Sequence, residues 1–325
     1  MLIDAHMHVN LNGISPRNLF DYLDRDGIDW CWLLTWEESQ PTNPLYRPLT
    51  IESVFESYHI NPSRVVPMYA PDPARQSSEA DLEYWVTQGV KGIGELKVTS
   101  SWYSPEITKL LNQARRLGLL VLFHMEEETF MYRPMSRSRV ESLACKVLNR
   151  TEAYRLGRNV LEFATQKSPV VASMLTSRQK CSLGYLPEFS GLEARLQEYP
   201  DVEFVAHGPL FWKGIASDMG FGPYPTGAVS EEGISPRLLR CYPNLSADLS
   251  GLSGYNALSR DKKFSQRFLS EFSSKILFGT DNTSLGLKNL LGKLRLSLAD
   301  IRKIRGENAF LLIEKSGNAA SAKMA

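Results

Sequence analysis

Cysteine is scarce in this chain. Cys31, Cys145, Cys181 and Cys241 are scattered, and no pair stands at C-x-x-C spacing. That excludes a disulfide framework and a zinc knuckle, and leaves buried or incidental thiols of a reducing compartment. An excess of one charge is missing too: 37 Lys and Arg stand against 36 Asp and Glu, a net +1. Nucleic acid and membrane surfaces are therefore not expected partners. No apolar run approaches the roughly 18 residues of a membrane span. No basic stretch precedes the first apolar run, so no signal peptide is expected and the cytoplasm is the expected location.

Histidine is also rare, but its placement is informative. The chain has five, and four of them end short apolar runs that read as β-strands. His6 and His8 end the run 1–9, His124 ends Leu119–His124, and His207 ends Val202–His207. Asp281 ends the last run, Ile276–Asp281. Imidazole and carboxylate are the preferred ligands of divalent metals. Strand alternation predicts Asp4, His6 and His8 on one face of the first strand, with Ile3, Ala5, Met7 and Val9 on the other. Two histidines two residues apart on one strand can grip one ion. His59, away from any strand end, reads as structural.

Eight strand candidates are present: 1–9, Ile28–Leu34, Val65–Ala70, Val90–Lys97, Leu119–Met125, Val202–His207, Asn244–Leu249 and Ile276–Asp281. Helical segments separate most of them. Ser15-Pro16, Ser104-Pro105 and Ser235-Pro236 each predict a capped helix start. Ile107, Leu110, Leu111, Ala114 and Leu117 form an apolar stripe closed by Gly118. Eight strand–helix units in 325 residues predict a parallel (β/α)8 TIM barrel, with a doubly wound open sheet as the competitor. The expected domain spans 1–315, interrupted at about 126–187 by a basic insertion, with a flexible tail at 316–325. The insertion reads as largely helical, over Val140–Leu148 and Thr151–Gln166. Between Met131 and Pro187, ten Lys and Arg face three Glu, a surplus of seven that leaves the rest of the chain at −6. Placed after the fifth strand, it is expected to cap the strand ends or to serve as surface decoration.

His6-Met7-His8 in strand one, His124 in strand five, His207 in strand six and Phe278-Gly-Thr-Asp281 in strand eight resemble the amidohydrolase superfamily. Within it, the chain is most similar to the amidohydrolase-related (amidohydrolase 2) family of TIM-barrel metal enzymes. Leu298–Leu312 resembles the last helix of that family. The resemblance implies that His6, His8, His124 and Asp281 surround a divalent ion, with His207 as a further ligand or a base. Zinc is the usual metal and manganese the alternative. Glu95 in the fourth strand could bridge two ions, as in the TatD-type branch, or form an ion pair with Lys97 beside the site. One ion or two is left open.

A bound divalent cation lowers the pKa of its water to about 7. An adjacent carboxylate can take that proton and hand it to the leaving group. Asp281 is the expected acid/base. Lys97, Trp36, Trp212, Arg133 and Tyr255 are the expected substrate contacts, with Arg137 and Arg139 beside Arg133. Asp248 in the seventh strand reads equally as a structural carboxylate or a substrate contact. The expected activity is hydrolysis of an amide, lactone or ester-like bond of a small molecule, anionic or neutral. The alternative is decarboxylation of an unsaturated or aromatic acid on the same scaffold. A barrel retained only for binding and a TatD-type nuclease are weaker readings. Self-association is left open.

Overall fold

All eight expected runs form strands, and two further strands lie where none was expected. In chain order they are β1 (Ile3–Met7), β2 (Trp30–Leu34), β3 (Val65–Met68), β4 (Gly92–Leu96), β5 (Leu120–His124), β6 (Glu126–Pro134), β7 (Thr176–Tyr185), β8 (Phe204–His207), β9 (Leu245–Asp248) and β10 (Ile276–Leu277). The helices are α1 (Leu19–Arg25), α2 (Ile51–Ile60), α3 (Ser78–Gln88), α4 (Pro105–Leu117), α5 (Phe189–Glu198), α6 (Pro209–Lys213), α7 (Ile234–Cys241), α8 (Gly251–Ser259), α9 (Lys262–Glu271), α10 (Leu287–Lys293), α11 (Leu298–Arg302) and α12 (Asn308–Met324). The computed structural model describes residues 1–37, 49–134, 176–220, 222–283 and 286–324, with backbone alone at 129–134, 176–183 and 317–324.

Eight parallel strands form one sheet in the order β1-β2-β3-β4-β5-β8-β9-β10. Ala5 N–H donates to Phe278 O (2.9 Å) and Asp281 N–H to His6 O (2.8 Å), which ties the last strand back to the first. The result is a nearly closed TIM barrel. Ile3, Ala5, Trp32, Leu34, Met68, Leu120, Leu122, Val205 and Leu277 fill its interior. Met7, Leu33, Ile93, Leu96, Val121, Phe123 and Phe204 point outward, into a second apolar layer with Leu19, Val54, Leu110 and Leu111 of the helices.

This layering corrects the simple alternation expected for β1. Ile3 and Ala5 lie inside the barrel, while Met7 lies in the outer layer. The register against β2 shifts between Asp4 and Met7. That shift brings His6 and His8 to the inside although Asp4 is outside. β4 does the same between Ile93 and Leu96. Gly92 and Gly94 face the interior rather than opposing Glu95: a Cβ on Gly92 would lie 2.5 Å from Met68 Cε, and one on Gly94 would lie 3.1 Å from Leu34 Cδ2. Such irregularities re-aim side chains and are common beside active sites.

Of the three expected Ser-Pro caps, only one forms. Ser104 Oγ accepts from Ile107 N–H, with Pro105 in the first turn and Gly118 left-handed at φ 67°. The Ser235 hydroxyl instead donates to Phe211 O (2.6 Å), and α1 starts at Leu19, after Asn18. The chain divides into two compact units, Met1–Glu127 with Gly184–Ala325, and Glu128–Leu183. β6 and β7 pair as a two-stranded sheet, which corrects the expectation of an insertion without strands. A two-stranded ribbon needs no apolar run, so Thr176-Ser-Arg-Gln-Lys-Cys181 gave no signal. Residues 135–175, with Arg137, Arg139 and the helices expected at Val140–Leu148 and Thr151–Gln166, lie outside the described residues. The tail expected to be frayed continues as α12 to Met324, because Ala319, Ala320 and Ala322 are strong helix formers. Among the described residues, no helix is long and apolar enough to cross a membrane.

Candidate metal centre

Register decides where the imidazoles meet. β5 pairs with β8 so that His124 lies beside His207, and both follow clean alternation behind inward Leu122 and Val205. The rings of His6 and His207 are 4.2 Å apart, and those of His124 and His207 are 5.1 Å apart. His6, His8, Glu95, His124 and His207 are all buried, whereas the Asp281 side chain is 30% exposed. Asp281 is thus the member of the set with access to solvent.

The donor atoms of His6 and His8 lie close to each other and to two carboxylates, those of Asp281 and Glu95. His6 Nε2 lies 3.2 Å from His8 Nε2 and 3.9 Å from Asp281 Oδ1. His8 Nε2 lies 3.7 Å from Asp281 Oδ1 and 3.4 Å from Glu95 Oε2, which is 3.8 Å from His6 Nε2. Tetrahedral zinc with bonds of about 2.0–2.1 Å holds its donors about 3.4 Å apart. The His6, His8 and Glu95 donors, 3.2–3.8 Å apart, fit such an ion. Glu95 turns its other oxygen away from this group: Oε1 lies 2.6 Å from His124 Nδ1 and 3.8 Å from His207 Nε2. Glu95, His124 and His207 make a second group of suitable span.

The rings are oriented from behind, as metal-ligating imidazoles usually are. His8 Nδ1–H donates to Leu34 O (3.0 Å). Asp248 binds two histidines at once, with Oδ2 3.0 Å from His6 Nδ1 and Oδ1 3.0 Å from His207 Nδ1. Asp248 is fully buried, so of its two expected roles it takes the structural one. Burial opposes a charge on His6, but the Asp248 and Glu95 carboxylates override it and hold its pKa well above the ordinary imidazole value. For His207, burial wins and the pKa is lowered. Burial likewise opposes ionisation of Glu95 and Asp248, yet hydrogen bonds from the histidines hold Glu95, and the charges and hydrogen bonds of His207 and His6 hold Asp248, well below the usual carboxylate range.

Lys97 and Trp36 meet at the rim. Lys97 Nζ sits 3.7 Å from the centre of the Trp36 ring and 5.1 Å from that of Tyr185, a cation–π arrangement. Tyr255 lines a cavity of about 210 Å³ with Tyr22, Gly251, Thr280 and Lys288, to which none of His6, His8, Glu95, His124, His207 and Asp281 contributes. Trp212 is a correction. It is 1% exposed, packs on Phe211 and Phe268, and donates from Nε1 to Asp248 O (2.9 Å). It belongs to the core because α6 follows Gly208 directly and tucks its aromatics behind β9. The Arg133 side chain lies outside the described residues.

Three participants were missed. Glu126 Oε2 lies 3.2 Å from His124 Nε2; the spacing His124-Met-Glu126 repeats that of His6-Met-His8 and could have revealed it. Asn282 clamps β1 by accepting from His8 N–H (2.9 Å) and donating to His8 O (2.7 Å). Asp4 accepts from Thr280 through both N–H (3.0 Å) and hydroxyl (2.7 Å), and burial raises its pKa to about 7. These last two contacts join chain ends more than 270 residues apart, so no local pattern announces them.

No protein-family model matches the sequence, and neither does any curated protein. Solved structures do match over nearly the full chain. An uncharacterised TIM-barrel protein from Bordetella bronchiseptica is 11% identical, with 97% of this chain and 99% of that one covered and a TM-score of 0.55. A zinc-bound amidohydrolase from Burkholderia multivorans is 10% identical, with 97% and 99% covered and a TM-score of 0.52. A probable 2-pyrone-4,6-dicarboxylic acid hydrolase from Acinetobacter baumannii is 12% identical, with 96% and 99% covered and a TM-score of 0.52. At this identity the likeness is one of fold, and it establishes that the chain has the TIM-barrel architecture that these proteins share.

Proposed function

We propose that this chain is a metal-dependent hydrolase of a small molecule with an amide, lactone or ester-like bond. The observation that carries the reading is the convergence of His6 and His8, 3.2 Å apart at Nε2, with Glu95 and Asp281 oxygens 3.4–3.9 Å from them, at the C-terminal ends of barrel strands. That end is where TIM-barrel enzymes place their chemistry. The zinc of the Burkholderia multivorans neighbour and the hydrolase name of the Acinetobacter baumannii neighbour support it by analogy of fold.

His6, His8, Glu95 and Asp281 would hold one ion, and Glu95, His124 and His207 a second. A bound divalent ion supplies polarisation of the carbonyl and a water acidified to about pKa 7. Asp281, the member of the set with access to solvent, takes the proton of the attacking water on its carboxylate and returns it to the leaving group. The buried histidines and the surrounding apolar layer exclude bulk water from the inner face. Lys97, stacked on Trp36, offers its ammonium to an anionic group of the substrate.

Metal analysis of protein loaded with zinc and then desalted tests the ligand set. Wild type is expected to retain two zinc ions per chain, and His6→Ala to lose at least one while remaining folded by circular dichroism. Full zinc content in His6→Ala would overturn the assignment. Reaction in ¹⁸O-labelled water distinguishes the chemistry: label in the product supports hydrolysis, whereas release of CO2 without incorporation supports decarboxylation.

Zinc affinity should also depend on pH. The ion must displace the proton that Asp248 and Glu95 hold on His6 above the usual imidazole pKa. Affinity is therefore expected to rise with pH, by about tenfold per unit while His6 stays protonated in the metal-free protein. Chelator competition at pH 6 and pH 7.5 measures this, and equal affinities would contradict it.

A further inference from the structure

Asp248 lies behind the centre, and its two oxygens have unequal surroundings. Oδ1 accepts from Ser250 N–H (2.9 Å), from the Ser250 hydroxyl and from His207 Nδ1 (3.0 Å). Oδ2 faces His6 Nδ1 (3.0 Å). A carboxylate only accepts hydrogen bonds, so both imidazoles must carry a proton on Nδ1. Nε2 of each ring is then the nitrogen left to take a metal, and the Nε2 atoms of His6 and His207 lie 3.8 Å from opposite oxygens of Glu95 inside the barrel.

We propose that Asp248 is the positioning residue that fixes the tautomers of both His6 and His207, and that it is asymmetric, so that exchanging its carboxylate for an amide acts on His6 alone. The asymmetry follows from Ser250. Its backbone N–H is a donor that cannot be reversed, so an asparagine at 248 must keep its carbonyl oxygen in the Oδ1 place. Its NH2 group then occupies the Oδ2 place and points at His6 Nδ1. Two donors cannot face each other at 3.0 Å, so His6 must give up Nδ1–H and hold its remaining proton on Nε2. That removes the lone pair His6 would offer beside His8. His207 keeps its acceptor and its tautomer. Trp212 Nε1, bonded to the Asp248 carbonyl, anchors the strand in either case.

The metal consequence rests on the proposed hydrolase centre; the tautomer consequence does not. The experiment combines two readouts on wild type and Asp248→Asn. Two-bond ¹H–¹⁵N correlation spectra of ¹⁵N-histidine-labelled protein, metal-free and zinc-loaded, report which ring nitrogen of each histidine bears hydrogen. Zinc competition against a chromophoric chelator reports affinity and stoichiometry. Wild type is expected to show Nδ1–H on His6 and His207. Asp248→Asn is expected to lose Nδ1–H on His6 only, and to lose about 10–100-fold in the affinity of one zinc ion, leaving the other unchanged. Should the variant fail to fold, the wild-type spectrum still decides, because absence of Nδ1–H on either histidine overturns the proposal. Unchanged spectra in Asp248→Asn, or equal weakening of both ions, would overturn it too. A wild-type protein that binds no zinc would sink the hydrolase reading, while the metal-free spectra would still judge the tautomers.

Discussion

Asp281→Asn is expected to lower kcat by at least about 10³-fold while leaving the thermal midpoint nearly unchanged. The carboxylate is the exposed member of the centre and the proposed proton carrier, and a positioned general acid/base contributes about 10²–10⁴-fold. Loss of a charged ligand adds to that. The fold should survive for a local reason. Asp281 sits in the left-handed region at φ 50°, which asparagine adopts more readily than most residues. Its backbone N–H, which bonds His6 O at 2.8 Å and closes the barrel, is untouched. Steady-state kinetics on an ester or lactone found by screening would measure the loss. Retention of more than a tenth of wild-type kcat would remove Asp281 from the proton path.

Gly208→Ala should be the most damaging single-methyl change near the site. Gly208 follows His207 with φ 99° and ψ 165°, a region essentially confined to glycine. A Cβ there would lie 2.5 Å from Met125 O and 2.8 Å from Met125 N, both backbone atoms. Those atoms seam β5 to β8: Met125 N–H donates to His207 O (2.8 Å), and Leu210 N–H to Met125 O (3.0 Å). Backbone strain and overpacking each cost about 1–3 kcal/mol, so a total of roughly 2–5 kcal/mol is expected. Because the seam carries His124 and His207, zinc retention should fall along with stability. Urea denaturation and metal analysis of the same preparation test both; a variant within 1 kcal/mol of wild type would show that the seam can yield.

Much of the barrel was legible because each strand is a buried apolar run, and burial on both faces leaves a continuous signal in the sequence. The histidines stood out because polar groups at the ends of such runs are costly unless they have partners. Faces were less legible. On β5 and β8 alternation is regular, and His124 and His207 follow inward Leu122 and Val205. On β1 and β4 the register shifts, and no residue within those runs announces that Ala5 and His6, or Gly94 and Glu95, serve the same side. The strands β6 and β7 went unseen because a two-stranded sheet of their own needs no apolar pattern. Trp212 was misplaced for the opposite reason: a large aromatic beside a catalytic-looking histidine fits a rim or a core equally well until packing decides.

What the sequence alone determined was the cast and its order: eight strands, four histidines and Asp281 at their ends, and a glutamate on the fourth strand. These follow from local physics, the period of a strand and the rarity of polar groups in apolar runs. The tertiary structure decided the relations among them, because those depend on closure of the barrel. Only closure sets Asp248 between His6 and His207, turns the two oxygens of Glu95 toward different histidine pairs, and joins Asp281 to a strand 275 positions earlier in the chain.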